Sequence, residues 1–278
     1  MFLNEQLISY FDSYVNDGIC IAFSGGVDSS LLLKAACLAV ERSSLPMKKR
    51  VLAVTFETRL HPHSDTEDAA RQAEQFGAFH RVIKIDEFSN PEIVKNPVNR
   101  CYLCKHFLFE TLKKEASLLG YPHLFDGSNL DDTKSYRPGL AALQELGIKS
   151  PLIALSFTKA MVREAAKNFG LSSSSKPSAP CMATRLPYNT PFDYELLNRL
   201  HQGETFLHNL GFYNVRLRCH SNLIRIEVDL SDFSNLLLQR EEICRYLKSL
   251  GFDYLTLDLE GFRSGSMDQN VMRSHIIP

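Results

Sequence analysis

No stretch of the 278 residues comes near the roughly 20 consecutive apolar positions needed to cross a bilayer, so no membrane span is expected. Residues 1–18 lack the basic start and apolar core of a secretory signal. The seven cysteines are odd in number and stand without such a signal, which argues against a disulfide framework. Reduced thiols and a cytoplasmic protein are therefore expected. A surplus of positive charge is missing as well: 31 Lys and Arg against 32 Asp and Glu leave a formal net charge of -1, so nucleic acid is not expected to be held by bulk electrostatics. The nine histidines form no metal-spaced cluster, and there is no internal repeat. At 44% hydrophobic, the chain has a globular composition, with enough length for one large or two smaller domains.

Short apolar runs alternate with helical patterns in the first part. Strands are predicted at 19–23, 51–56, 81–85, 123–126 and 150–155. Helices are predicted at 28–40, 65–76, 102–119 and 158–169. This alternation implies an α/β fold, a parallel sheet with helices on both faces. The composition changes at 171–180, LSSSSKPSAP, which reads as a loop or linker. Beyond it come a helix at 193–210, strands at 214–220 and 223–228, a helix at 233–250 and a strand at 254–259, a smaller α+β domain. The expected division is residues 1–175 and 176–278.

Phe23-Ser24-Gly25-Gly26-Val27-Asp28-Ser29-Ser30 directly follows a predicted strand and opens a helix. Gly25 and Gly26 let the backbone turn sharply and bring N–H groups to an anion. Ser24, Ser29 and Ser30 add hydroxyls, and the helix N-terminus adds partial positive charge. A Gly-Lys-Ser/Thr ending is absent, so this is no Walker A loop. Asp28 beside phosphates is expected to help hold a divalent cation. The bland alternative is an ordinary Gly-Gly turn before a helix. SGGVDSS resembles the PP-loop signature of ATP pyrophosphatases, which implies ATP cleaved between its α- and β-phosphates and AMP transferred to a carbonyl or carboxylate oxygen.

Cys101 and Cys104 form a C-x-x-C at a helix start, where thiolates are favoured. Cys181 lies in a later loop. Three such cysteines suit a [4Fe–4S] cluster with one open iron, a zinc site, or plain core thiols, and spacing alone does not choose among them. Cys20, Cys37, Cys219 and Cys244 fall inside strand or helix patterns and are expected in the core.

A second resemblance covers nearly the whole chain. It is carried by Asn96-Pro97-Val98-Asn99-Arg100-Cys101-Tyr102-Leu103-Cys104-Lys105, by Asp126-Gly127-Ser128-Asn129-Leu130-Asp131-Asp132 with Tyr136-Arg137-Pro138-Gly139, and by Ser150-Pro151-Leu152 and Thr158-Lys159. Lys176-Pro177, the run from Cys181 to Tyr188, Ile226-Glu227-Val228, the run from Leu257 to Arg263 and Gly265-Ser266-Met267 continue it in order. These strings resemble the LarE family of ATP-dependent sulfur transferases. The resemblance implies adenylation of the carboxylates of pyridinium-3,5-biscarboxylic acid mononucleotide and their conversion to thiocarboxylates for a nickel-pincer cofactor. It implies ATP and Mg2+ as cofactors, with Gly127 and Asn129 joining the nucleotide site. It also implies Cys101, Cys104 and Cys181 as catalytic groups and ligands of a [4Fe–4S] cluster, although some members give up the sulfur of the cysteine matching Cys181. The chain departs from the family at 56–63, at Asn189 (usually glycine) and at Thr184 (usually serine).

Arg185, Arg216, Arg218 and Arg263 match basic positions near that family's substrate site, and arginine suits the geometry of phosphate and carboxylate. Arg216 and Arg218 share one strand face by period two. Glu204 is implied as an acid of the substrate site, against the plainer reading of a surface helix residue. The smaller domain is expected to close over a small-molecule mononucleotide and to support a homo-oligomer. The rivals are a PP-loop enzyme that thiolates tRNA with a three-cysteine site, and a non-catalytic nucleotide-binding protein with structural zinc.

Overall fold

The computed structural model describes residues 2–43, 51–61, 63–134, 137–175, 181–263 and 265–267. Tyr136, Lys176, Pro177 and the end of the expected linker lie outside them. In chain order the elements are α1 (Phe2–Phe11), β1 (Ile19–Ala22), α2 (Val27–Arg42), β2 (Val51–Thr58), α3 (His63–Gln75), β3 (Phe79–Ile85), α4 (Pro91–Val94), α5 (Arg100–Leu118), β4 (His123–Phe125), α6 (Gly139–Glu145), α7 (Pro151–Ala154), α8 (Lys159–Asn168), α9 (Tyr194–Asn209), β5 (Val215–His220), β6 (Leu223–Val228), α10 (Phe233–Leu238), α11 (Arg240–Ser249) and β7 (Tyr254–Leu257), joined by turns and short 3-10 segments. No helix among the described residues is long and apolar enough to cross a membrane.

The chain divides into two compact units: residues 1–87 with 99–178, and residues 88–98 with 179–278. Segment 88–98, which sequence reading left in the first domain, belongs to the second unit.

The first unit is built on a parallel sheet in the order β3-β2-β1-β4. Both faces of β1 are buried because its residues alternate between two cores. Ile19 and Ile21 join α1, α2 and α8 through Phe11, Leu31, Leu32 and Val162. Cys20 joins α5 and α6 through Leu108, Leu112 and Leu143. From β1 the chain runs outward to β2 and β3, then returns to β4 on the other side. The order reverses between β1 and β4, where a parallel α/β sheet opens a ligand crevice at its carboxyl edge. The expected fifth strand at 150–155 is corrected to helix α7. Pro151 has no N–H for a sheet ladder and presets the first helical residue, while Ala154 N–H and Leu155 N–H donate back to Ser150 O and Pro151 O. Only a single parallel bridge, Phe125 with Lys149, extends the sheet there. The start of the expected linker is packed: Leu171 and Ser173 are buried, and Arg163 donates to Ser174 O at 2.6 Å.

The second unit carries a mixed sheet, β5-β6-β7, antiparallel then parallel. Its apolar face, with Val215, Leu217, Ile224, Ile226 and Val228 buried, receives α9 and α11. Gly203 in α9 marks how close this packing is: a Cβ there would lie 2.5 Å from Leu217 Cδ1 and 2.9 Å from Leu247 Cδ2. The single helix expected at 233–250 is two, because Gln239 (φ -94°, ψ 8°) leaves helical geometry between α10 and α11. Cys244, expected in the core, is exposed. The buried face of α11 is set by Ile243 and Leu247, four apart, and Cys244 lies a step of about 100° round the helix from Ile243. Cys20, Cys37 and Cys219 are buried as expected.

Candidate active site

The loop after β1 is shaped by its glycines and closed by its own serines. Gly25 has φ +71°, the left-handed region open to glycine, and sits against Ala69 of α3. Ser24 N–H donates to Ser29 Oγ at 3.2 Å, Ser29 Oγ donates to Gly26 O at 3.2 Å, and Ser30 Oγ donates to Gln72 Oε1 at 2.6 Å. Gly26 caps α2 without any side-chain hydrogen bond. The first-turn N–H groups of a 16-residue helix are therefore left without a side-chain cap and can turn to an anion.

Asp28, in the first turn of α2, joins the loop to the end of β4. Its Oδ1 accepts from Asn129 Nδ2 at 3.0 Å, and its Oδ2 is paired with Lys159 Nζ at the start of α8. Asn129 N–H donates to Asp132 Oδ2 at 3.0 Å, and Lys159 N–H donates to Asp131 Oδ2 at 2.8 Å. The Asp131 carboxyl is held below its ordinary range, first by the hydrogen bond from Lys134. Gly127 eases the close approach of the two loops: a Cβ would stand 3.1 Å from Ser29 N and 3.3 Å from Asp28 Cβ, so these neighbours would have to give by a few tenths of an ångström. The structure thus gathers Ser24, Gly25, Gly26, Asp28, Ser29, Ser30, Gly127 and Asn129 at the point where the strand order reverses. Lys159 was missed as a site residue. The Thr158-Lys159 pair reads as a helix start, and only the fold brings its ammonium to Asp28.

Cys101 and Cys104 stand on the first turn of α5, Cys101 exposed and Cys104 half-buried against the α5–α6 core. One turn after Cys101, Lys105 Nζ reaches within 3.5 Å of the buried Asp126 carboxylate at the end of β4. Asp126 also accepts from Ser128 N–H at 3.2 Å and from the hydroxyls of Ser128 and Ser150. The C-x-x-C turn is therefore tied to the same sheet edge as the phosphate loop. Burial pushes the thiols of Cys20 and Cys37 up to about 12, which sets them apart as inert.

In the second unit, Cys181 precedes a 3-10 turn, Met182–Arg185. Arg185 makes a two-pronged pair with Glu204, Nε to Oε1 at 2.8 Å and Nη2 to Oε2 at 2.7 Å, and both residues are 4% exposed. Leu217 N–H donates to Glu204 Oε1 at 2.8 Å. Glu204, expected to act as a substrate-site acid, thus has both oxygens committed to holding Arg185 and β5. Arg218 pairs with Glu227 Oε2 through Nε and Nη2 at 3.1 and 3.0 Å, and its Nη1 donates to Thr184 O at 2.8 Å. Arg225 Nη2 and Ser266 Oγ occupy Glu227 Oε1 at 2.9 and 2.7 Å. Arg263 lies 3.3 Å from Asp258 Oδ2 and 2.6 Å from Glu260 Oε2. Arg216 lies over the Phe262 ring at 5.2 Å. Burial first, and then the neighbouring Arg185, lower its guanidinium to about 10; burial also lowers that of Arg218. Cations crowded in this way gain from an arriving anion. Glu227 and Asp258 were missed as members of this cluster, although register places Glu227 directly opposite Arg216. Asn189, where a glycine was expected, has φ +63°, the region glycine takes freely and asparagine tolerates best among other residues.

Among the described residues no three His, Cys, Asp or Glu side chains are gathered for a metal ion. The three-cysteine ligand set therefore rests on the chemistry of its thiols.

The NAD synthase family profile matches residues 2–96. An uncharacterized protein of Synechocystis sp. is 37% identical over 267 residues, covering 95% of this chain and 96% of that protein. The pyridinium-3,5-bisthiocarboxylic acid mononucleotide synthase of Lactiplantibacillus plantarum is 33% identical over 258 residues, covering 93% of this chain and 91% of that protein. A solved structure, the NMN synthetase from Francisella tularensis, superposes with a TM-score of 0.49 at 20% identity, over 64% of this chain and 74% of that one. With identity of this degree running through both units, the chain belongs to the LarE family of PP-loop sulfur transferases.

Proposed function

We propose that the chain adenylates the carboxylates of pyridinium-3,5-biscarboxylic acid mononucleotide and converts them to thiocarboxylates, releasing AMP and pyrophosphate. The observation that carries this reading is the 33% identity, across 93% of the chain, to the synthase whose name states the bisthiocarboxylic product. The loop at the strand-order reversal supports it. The Ser24–Ser30 backbone and the N-terminus of α2 cradle the leaving pyrophosphate. A carboxylate oxygen of the substrate attacks the α-phosphorus, the bond to the β-phosphate oxygen breaks, and pyrophosphate departs. A sulfur nucleophile then attacks the acyl carbon, and the bond to AMP breaks. The arginine cluster of the second unit binds the anionic mononucleotide, and Glu204 fixes Arg185 for that task.

Mg2+ would be held by Asp28, whose part-exposed carboxylate stands in the first turn behind the loop and is already paired with a cation, Lys159. When bound, Mg2+ neutralises charge on the phosphates. Cys101, Cys104 and Cys181 are the residues whose thiolates would hold a [4Fe–4S] cluster, which would supply a transferable sulfide. The reading also includes self-association through the second unit, where Leu230, Leu237, Leu238 and Leu259 are exposed.

Radiolabelled ATP supplied with the mononucleotide tests the first half-reaction: AMP and pyrophosphate are expected, and ADP with phosphate would overturn it. Protein mass after turnover tests the sulfur source. An unchanged mass with several products per chain supports the cluster. A loss of about 34 Da at Cys181, with one product per chain, assigns the sulfur to Cys181 itself.

A further inference from the structure

Along β5, residues 216, 218 and 220 share one face, so His220 continues the row of Arg216 and Arg218. The Nε2 of His220 is buried and has no hydrogen-bond partner among the described residues. An orphaned buried nitrogen calls for a ligand or an ordered water to complete it. The charged groups that act on the ring are Arg225, Glu227 and Arg218. Glu227 is already occupied by Arg218, Arg225 and Ser266, and Arg225 reaches Asp258 at the end of β7 at 3.3 Å. The ring therefore sits among cations whose counter-charges are spent.

We propose that His220 takes up a proton from solvent when an anionic mononucleotide occupies the arginine row, and that its Nε2–H then donates to the bound anion. This rests on the reading of Arg216 and Arg218 as the mononucleotide site, and adds to it a third recognition group and a proton-linked affinity. Without ligand, burial first, then Arg225, hold the imidazole below its ordinary 6.5, so it is neutral at pH 7. A bound phosphate or carboxylate supplies the missing negative charge and a hydrogen-bond acceptor, and both favour the imidazolium. By linkage, affinity for the anion rises as pH falls, by at most about tenfold per pH unit for one proton, and only between the free and bound pKa values.

The test is calorimetric binding of nicotinate mononucleotide at pH 7, in buffers of differing ionisation enthalpy, to the wild-type chain and to His220→Gln. The ligand's own phosphate titrates equally in both, so the difference between the two slopes isolates the protein group. The expected result is net proton uptake in the wild-type chain relative to His220→Gln, with affinity several-fold weaker in the variant at pH 6 and nearly equal at pH 9. Identical slopes overturn the inference while leaving the mononucleotide site intact. Wild-type chain that binds no mononucleotide overturns the site reading and the inference together. If His220→Gln does not fold, His220→Asn is used; if neither folds, the imidazole signals of the wild-type chain are titrated by NMR with and without the mononucleotide. No ligand-induced rise in any histidine pKa would then overturn the inference.

Discussion

Removing Glu204 separates a holding role from a chemical one. Arg185 and Glu204 are both 4% exposed and joined through two hydrogen bonds, and Glu204 also accepts Leu217 N–H. Glu204→Leu leaves a buried guanidinium beside Arg216, whose own guanidinium burial, and then Arg185, already lower to about 10. Breaking one side of such a pair costs about 3–5 kcal/mol, and the orphaned amide lies within that range. The transition in which this unit unfolds should fall by roughly 12–20 °C at about 4 °C per kcal/mol. Replacing both partners, Arg185→Met with Glu204→Leu, removes the stranded charge and leaves only the amide, so the loss should shrink to about 1–3 kcal/mol. Urea or thermal unfolding of the two variants measures this, with mononucleotide affinity read in parallel. The double variant should recover stability and still bind poorly. A single variant that loses less than about 1 kcal/mol would refute the reasoning, as would a double variant less stable than the single.

Asp28→Ala should cut turnover by at least about 100-fold, the scale of losing one electrostatic group from a phosphoryl site, with unfolding little changed; near-normal turnover in a quenched-flow or product assay removes Asp28 from the mechanism. Gly203→Ala should destabilise the second unit: the added methyl meets Leu217 and Leu247 at 2.5 and 2.9 Å, and about 1–3 kcal/mol of overpacking exceeds the roughly 1 kcal/mol that alanine gains in a helix. A higher melting temperature would show that the leucines yield. Glu87 is fully buried, and burial raises its carboxyl above its ordinary 4.5. Below that value both states hold the proton; above it the unfolded chain ionises first, so stability falls as pH rises through the folded value. Glu87→Gln should therefore gain on the wild-type chain in melting temperature from pH 5 upward, and parallel pH profiles would count against a buried acid.

Much of the first unit was legible because its signals are local. A strand, two glycines and a helix start are contiguous in residues 19–40, and Thr158 sits where the structure has a helix cap, accepting from Met161 N–H, as Asp193 does in the second unit, accepting from Glu195 and Leu196 N–H. The errors follow from competition that a window cannot resolve. Pro151 turned an apolar run from strand to helix, and α1 was missed although Leu7, Ile8 and Phe11 are buried against α2 and α8. The assignment of segment 88–98 to the second unit rests on long-range bonds, Asn189 N–H to Asn96 O at 2.8 Å and Phe192 N–H to Val94 O at 2.8 Å, which leave no periodic trace.

The site shows the same division. Period two was enough to put Arg216 and Arg218 on one face, but their partners depend on strand register. The turn at Ser221 and Asn222, with Ser221 at φ +60°, sets His220 opposite Leu223 and therefore Glu227 opposite Arg216. A slip of one residue would present Ile224 and Ile226 to the arginines and bury Arg225 and Glu227 against α9 and α11. The apolar face thus dictates which carboxylates meet which guanidiniums. Glu204 illustrates the consequence. Sequence places an acid on a helix near the substrate arginines, and resemblance suggests a chemical role for it. Geometry gives its oxygens to Arg185 and Leu217 N–H, which favours a holding role. A holding role predicts that the double variant regains the stability lost with Glu204 while binding stays lost with Arg185.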